Sequence, residues 1–302
     1  MTDTRDYRIF CLSETLTPLT HMRGTAGNEA LINREPVVCE IGTAWLPVLS
    51  ANAIRHRMIR EPGARYLVDL YRIGGHMSIR MLNFLFHGGS LTESNSREST
   101  GRLAEIRDLL PLIRLLGASL PNQILPGLLT ADRGTMVCRE NRERIRAMLP
   151  DGWETPDLLP SAEMWVGRYQ YTRGDASKQH PDMVDTDAEV GAGLMIYSGE
   201  QVNAGAMFVH GFRLQRATMA ELGCLLWSLQ LWADAGATIG GQASRGHGQL
   251  RTQLAITCDG DAPSVVDAID AYQAHAVSVA ERATPWLFER FGECVPQELR
   301  SA

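Results

Sequence analysis

The segment Gly240-Gly-Gln-Ala-Ser-Arg-Gly-His-Gly248 holds the densest set of groups in the chain that could recognise a ligand. Its four glycines, Gly241 among them, let main-chain amides approach a ligand closely, while Gln242, Ser244, Arg245 and His247 supply polar contacts. A dinucleotide-binding glycine loop is the rival reading. That motif runs strand, loop, helix, so that a pyrophosphate meets the helix N-terminus. Here a helical pattern precedes the loop and a strand pattern follows it, which puts the unfavourable end of the helix dipole toward an anion. No G-K-[ST] occurs, which removes a P-loop. A plain connecting loop stays open as the alternative.

Two further clusters combine charge with shape. Ser50 can cap a helix reading ANAIRHRMIR, in which Ile54 and Met58 share one face and Asn52, Arg55, His56 and Arg60 share another. That second face suits a phosphate backbone, or it is simply solvated. In MWVGRYQYTR, Arg168 and Arg173 interleave with Tyr169 and Tyr171, as stacking on nucleic-acid bases would require; an exposed hairpin is the bland alternative. Arginine is concentrated between Ala51 and Arg80, against only Glu61 and Asp69, while acids gather at Asp182–Glu189 and Asp259–Asp270. Lys178 is the only lysine. Arginine gives bidentate phosphate contacts and stacks on bases, although genomic base composition would leave the same bias. The net charge of −6 argues mildly against nucleic acid, so the local distribution decides more than the sum.

Other chemistry is poorly served. The histidines show no H-E-x-x-H or paired-ligand spacing, the six cysteines lie far apart without C-x-x-C, and no G-x-S-x-G elbow is present. No metal site and no cofactor is expected, and the cysteines read as reduced, packed thiols. No apolar run reaches membrane length, and the polar Met1–Arg8 predicts no secretory leader, so the expected setting is cytoplasmic, away from membranes.

The positioning elements read as α+β. Asp6–Leu19 is a strand, buried on both faces near Ile9–Leu12. Thr20–Glu35, rich in Gly, Asn and Arg, reads as a loop, whose His21 and Arg23 join the candidate RNA contacts; an extended stretch follows from Val37 to Pro47. Helices are expected at Ala64–Ile73, Met77–Phe86 and Arg102–Leu116. Gly193–Val202 and Ala206–Gln215 read as two strands joined by the hairpin turn Asn203-Ala204-Gly205. Thr218 and Glu221 form a capping box, opening a helix with Met219, Leu222, Leu225, Leu226, Leu229 and Ala233 on one stripe. Leu250–Cys258 alternates as a strand, and a last helix runs from Val265 to about Phe291.

At this point the chain resembles a known family. Gly240–Gly248 matches the G-G-x-x-S-R-G-[YH]-G loop of the RAMP superfamily, the guide-RNA-binding proteins of CRISPR complexes. WLPVLSANAIRHRMIR is similar to the family's helix-opening segment: Pro47, Asn52, Ile54 and Arg55 fit, while Ala51 and His56 replace its usual glycines. The stretch from Leu115 to Leu128 and the paired strands GLMIYSGEQVNAGAMFVHGFRL add two more matches in the expected order.

The resemblance implies a ferredoxin-like, RNA-recognition-motif-type palm with helical and thumb-like insertions. In these terms residues 1–302 form a single domain: palm from about 1–60 and 190–260, helical insertion about 61–120, thumb-like insertion about 150–190 and C-terminal helix about 262–291. It further implies a non-catalytic backbone subunit on a CRISPR guide RNA, with copies of itself in a helical filament, other CRISPR effector subunits and a target DNA or RNA as partners. RNA-cutting relatives carry an aspartate in the first long loop; here Asn33-Arg34-Glu35-Pro36 puts Arg34 at that position, and an arginine can neither accept a proton nor hold a metal. Glu29, Glu35 and Asp132 keep an endoribonuclease reading open as the runner-up, and a glycine-loop nucleotide-binding enzyme is the third.

Overall fold

The computed structural model describes residues 3–26, 29–39, 42–89, 100–120, 123–173 and 195–300. The strand β1 (Arg5–Thr15) turns Tyr7, Ile9, Cys11, Ser13 and Thr15 into the core, with Phe10 and Leu12 half-buried on its other face. The expected loop after it is instead strand: β2 (Met22–Ala26) and β3 (Glu29–Ile32) pair antiparallel, and β4 (Arg34–Cys39) pairs with β5 (Gly42–Leu49). Its glycine and asparagine content suggested a loop, but Ala30 and Ile32 alternate inward against exposed Leu31, and that burial outweighs propensity.

Ser50 caps the next helix as expected, its side chain accepting from Ala53 N at 3.2 Å. The helix does not stop before Pro62. It runs as α-helix over Ala51–Ile54, widens to a π-helix over Arg55–Arg60, and resumes as α-helix over Glu61–Leu70. The wide turn leaves Pro62 in the first turn of the resumed helix, where its missing N–H is least costly. Ile79–His87 follows, capped by Ser78 and ended by Gly88 at φ +83°. The single helix expected over Arg102–Leu116 is two, Thr100–Leu109 and Pro111–Leu116, because Pro111 cannot continue a helix and starts a new one.

Two short strands, β6 (Ala118–Leu120) and β7 (Gln123–Leu125), form a ribbon; then come β8 (Leu129–Ala131), β9 (Gly134–Met136) and a small helix, Arg142–Arg146. β10 (Val166–Arg173) pairs with β11 (Met195–Val202), and β12 (Met207–Ala217) leads into the helix Met219–Asp234. The capping box is present: Thr218 accepts from Glu221 N at 3.2 Å and donates its own N–H to Glu221 at 2.8 Å. Leu222, Leu225, Leu226 and Leu229 are buried, but Met219 and Ala233 at the stripe's ends are exposed, and Trp232 takes their place inside. β13 (Leu250–Cys258) and the helix Val265–Arg290 complete the order. At Gly223 the two long helices pack so closely that a Cβ would run into the Ala268 carbonyl.

The strands make two main sheets. One is ordered β13-β1-β12-β9-β5-β4, with β8 also on β12; the other is β10-β11-β3-β2. β11 and β12 are therefore no hairpin. The turn at 203–205 carries the chain from one sheet to the other, with Asn203 N donating to Trp165 O and Gly205 N to Thr15 O. Local turn chemistry is the same for both outcomes, and only the partners of each strand decide between them. The architecture is α+β, and among the described residues the strands pair antiparallel except where β11 runs parallel to β3.

Candidate nucleic-acid interface

Thr20 and His21 bring the separate clusters together. Thr20 O accepts from Gly241 N at 2.7 Å, and Thr20 Oγ1 donates to Gly241 O at 2.7 Å, which fastens the start of the glycine loop. His21 Nε2 accepts from Ser50 N at 3.1 Å and so holds the start of the basic helix. That bond needs Nε2 unprotonated, in keeping with a half-buried imidazole whose pKa burial lowers. Arg23, two residues on, is exposed on β2.

Within the loop, Ile239 N donates to Gly248 O and Gly248 N to Pro18 O, closing its base, with Gly240 at φ +86° and Gly248 at φ +83°. A Cβ at Gly240 would meet the Thr20 carbonyl oxygen, so glycine there reflects contact as well as backbone conformation. Gln242 itself sits in the left-handed region at φ +61° and opens a short turn, Ala243–Arg245. Ser244 and Arg245 are exposed. Two polar atoms of the loop, Gln242 Oε1 and His247 Nδ1, are buried without a hydrogen-bond partner among the described residues.

The loop packs on the strand singled out for its alternating arginines and tyrosines. The Arg245 guanidinium carbon lies 3.8 Å from the Tyr171 ring centroid. Tyr171 stacks on Tyr197 at 5.1 Å and beside Tyr169 at 6.1 Å, and Tyr169 meets His247 edge-on at 5.9 Å. Tyr197 was missed by the sequence reading. Its signal was register: directly opposite Tyr171 in the β10–β11 pair, it must share that face. Arg168, on the same strand, is exposed and paired with Glu29; the Arg173 side chain and residues 174–194 of the thumb-like segment lie outside the described residues.

The basic helix divides. Asn52 is exposed, and His56 stacks on His87 at 5.4 Å with its pKa lowered by burial. Arg55 and Arg60 turn inward. Arg55 Nη2 donates to Leu116 O at 2.6 Å and Arg60 Nη2 to Gly117 O at 3.0 Å, so both cations cap the end of Pro111–Leu116. Arg60 is only 8% exposed, and burial, with Arg55 beside it, lowers its guanidinium to about 10. The expectation that Arg60 reaches an RNA phosphate does not fit this placement. Periodicity put it on the solvent face, but the π-turn rotates it from that face toward carbonyls that need donors.

The candidate carboxylates are all engaged by arginines. Glu29 pairs with Arg168, Glu35 with Arg133 at 2.5 Å, and Asp132 with Arg213 at 2.7 Å. Arg34 bridges Glu163 at 2.6 Å and Glu200 at 2.9 Å. No group of three or more His, Cys, Asp or Glu side chains among the described residues is placed to hold a metal. Nor is any helix among them long and apolar enough to cross a membrane.

No family model matches the sequence, and no curated protein matches it either. Among solved structures, a chain of a "Type IV-B CRISPR Complex" aligns at a TM-score of 0.55 and 17% identity, covering 85% of this chain and 93% of that one. The two share a fold over most of their lengths.

Proposed function

We propose that this chain is a non-catalytic backbone subunit of a CRISPR guide-RNA complex, holding the guide with copies of itself and other effector subunits and presenting it to target DNA or RNA. The observation that carries the reading is the junction of the glycine loop with the tyrosine face: Arg245 on Tyr171, next to Tyr169, Tyr197 and His247. An exposed guanidinium seated on an aromatic face takes phosphate, and the neighbouring rings take stacked bases, a grip that ignores sequence.

The strand order supports the finer fold reading. The order β13-β1-β12-β9, all antiparallel, with a helix after β1 and another between β12 and β13, is what a ferredoxin-like, RNA-recognition-type palm would require. Its fourth strand then comes from β8 and β9, which the expected palm boundaries leave out. The fold likeness to a chain of a type IV-B CRISPR complex points the same way. In this reading Arg245, Ser244, Gln242, Gly241 and His247 contact RNA, as do Arg23, Asn52 and His56. His21, Arg55 and Arg60 shape the platform instead, because each commits a side-chain nitrogen to main chain. Arg168 and Arg173 act on the strand that carries the tyrosines.

The subunit does not cut: Arg34 stands where cutting relatives need a carboxylate, and the acids near it are neutralised by arginines. The test is to express the protein beside a CRISPR array and size it by mass photometry with and without RNase. Several copies on RNA of defined length, released by RNase and by rising salt, is the expected result. Monomer without excess absorbance at 260 nm would overturn it.

A further inference from the structure

A cleft of about 790 Å³ lies between the end of the Glu61–Leu70 helix, the helix Val265–Arg290 and residues 295–300, and it shares no residue with the RNA surface proposed above. Its walls are apolar at Leu70, Val277, Ala280, Val295 and Leu299. Val277 is 59% exposed, an apolar side chain left open to solvent on the wall.

Three features give the cleft polarity. The helix ends at Tyr71, with Ile73 N turning back to Val68 O at 3.1 Å and Arg72 at φ +57°. That position favours glycine, so an arginine there costs stability and brings a cation to the cleft wall in return. Arg300, held by Nε donating to Val295 O at 2.9 Å, adds a second. Neither arginine has an ion-pair partner among the described residues, and Glu281 is the one acid of the wall. Finally, Pro285 interrupts the long helix and has no N–H to offer the Glu281 carbonyl, which loses its α-helical donor.

We infer that this cleft binds an extended peptide segment of a partner protein, one that alternates apolar side chains with carboxylates. The apolar walls take the side chains and the two unpaired guanidiniums take the carboxylates. The inference goes beyond the proposed RNA role and does not depend on it.

The test uses the full chain and a short fluorescein-labelled peptide alternating glutamate and leucine, followed by fluorescence anisotropy. Saturable binding is expected, with none to the same peptide carrying lysine for glutamate and no competition from dodecanoate. Arg72→Gly should weaken binding by about three- to tenfold, the loss of one charge-assisted contact, while leaving the thermal midpoint unchanged or raised. Val277→Glu, at an exposed position, should weaken it by repulsion without unfolding the chain. No saturable binding to the glutamate peptide, equal binding of the lysine peptide, or binding indifferent to both variants would overturn the proposal. So would a lowered thermal midpoint for Arg72→Gly with affinity intact, because the arginine would then serve the fold.

Discussion

Arg245 of the glycine loop lies over the ring of Tyr171 on β10, its guanidinium carbon 3.8 Å from the ring centroid, although the two belong to segments well separated along the chain. The contact leaves Arg245 exposed and without an ion-pair partner among the described residues, so its remaining donors face solvent. A cation held on an aromatic face is already oriented, and little freedom is lost when it meets a phosphate.

Replacing Arg245 by alanine should therefore weaken RNA binding by about 1–3 kcal/mol, uniformly across sequences. Thermal stability should change by no more than about 0.5 kcal/mol, as for most surface positions. Tyr171→Phe should keep the affinity and Tyr171→Ala should not. Filter binding across two unrelated RNA sequences, beside differential scanning calorimetry, checks all three. Unfolding of Arg245→Ala with residual affinity intact would make the loop structural.

Arg60→Ala should show the opposite signature. Its guanidinium is buried and donates to Gly117 O, so truncation leaves a cavity and an unsatisfied carbonyl at the helix end. A loss of about 3 kcal/mol in urea unfolding is expected. RNA affinity, measured well below the transition, should stay within about twofold for a residue that does not touch the ligand.

Stability should fall in mild acid. His210 is buried beside Phe212, with Nε2 2.9 Å from Ser13 Oγ and Nδ1 unpartnered, and burial lowers its pKa from 6.5 to about 4. Between those values the unfolded chain binds a proton here that the folded chain does not, so stability rises with pH across the window. The contribution is fully present above 6.5 and is lost as pH falls toward 4, on the order of 3 kcal/mol in all. His21, His56 and His247, also lowered by burial, act in the same direction. Urea midpoints from pH 7 to 4 should drop steeply for the natural protein and less for His210→Gln.

An assembled complex should hold a complementary target RNA without cutting it. The assay is a labelled target with magnesium or manganese on a denaturing gel. A ladder of evenly spaced products would defeat the non-catalytic reading. If Glu29→Ala, Glu35→Ala or Asp132→Ala then removed that ladder, the endoribonuclease reading would take its place.

Much of this protein was legible in its residues. Local chemistry sufficed for the capped starts at Ser50 and Thr218, for the alternating strands β1, β10 and β13, and for the long last helix, because caps and hydrophobic periods act within a few residues. The glycine loop was legible too, since Gly240, Gly246 and Gly248 sit at positive φ within it, although the close contact of Gly240 with Thr20 was not. What the residues could not reveal depended on partners remote in the chain. β11 and β12 separate into two sheets because each has a different neighbour, β3 in one case and β1 in the other. Arg55 and Arg60 look alike on a helical wheel with Asn52, yet two carbonyls at Leu116 and Gly117 draw them inward. The glycine loop meets the tyrosine face because Thr20 anchors it beside the rings that β10 and β11 present. Sequence period determines which side chains share a face; what that face meets is decided by burial and hydrogen bonding across the whole fold.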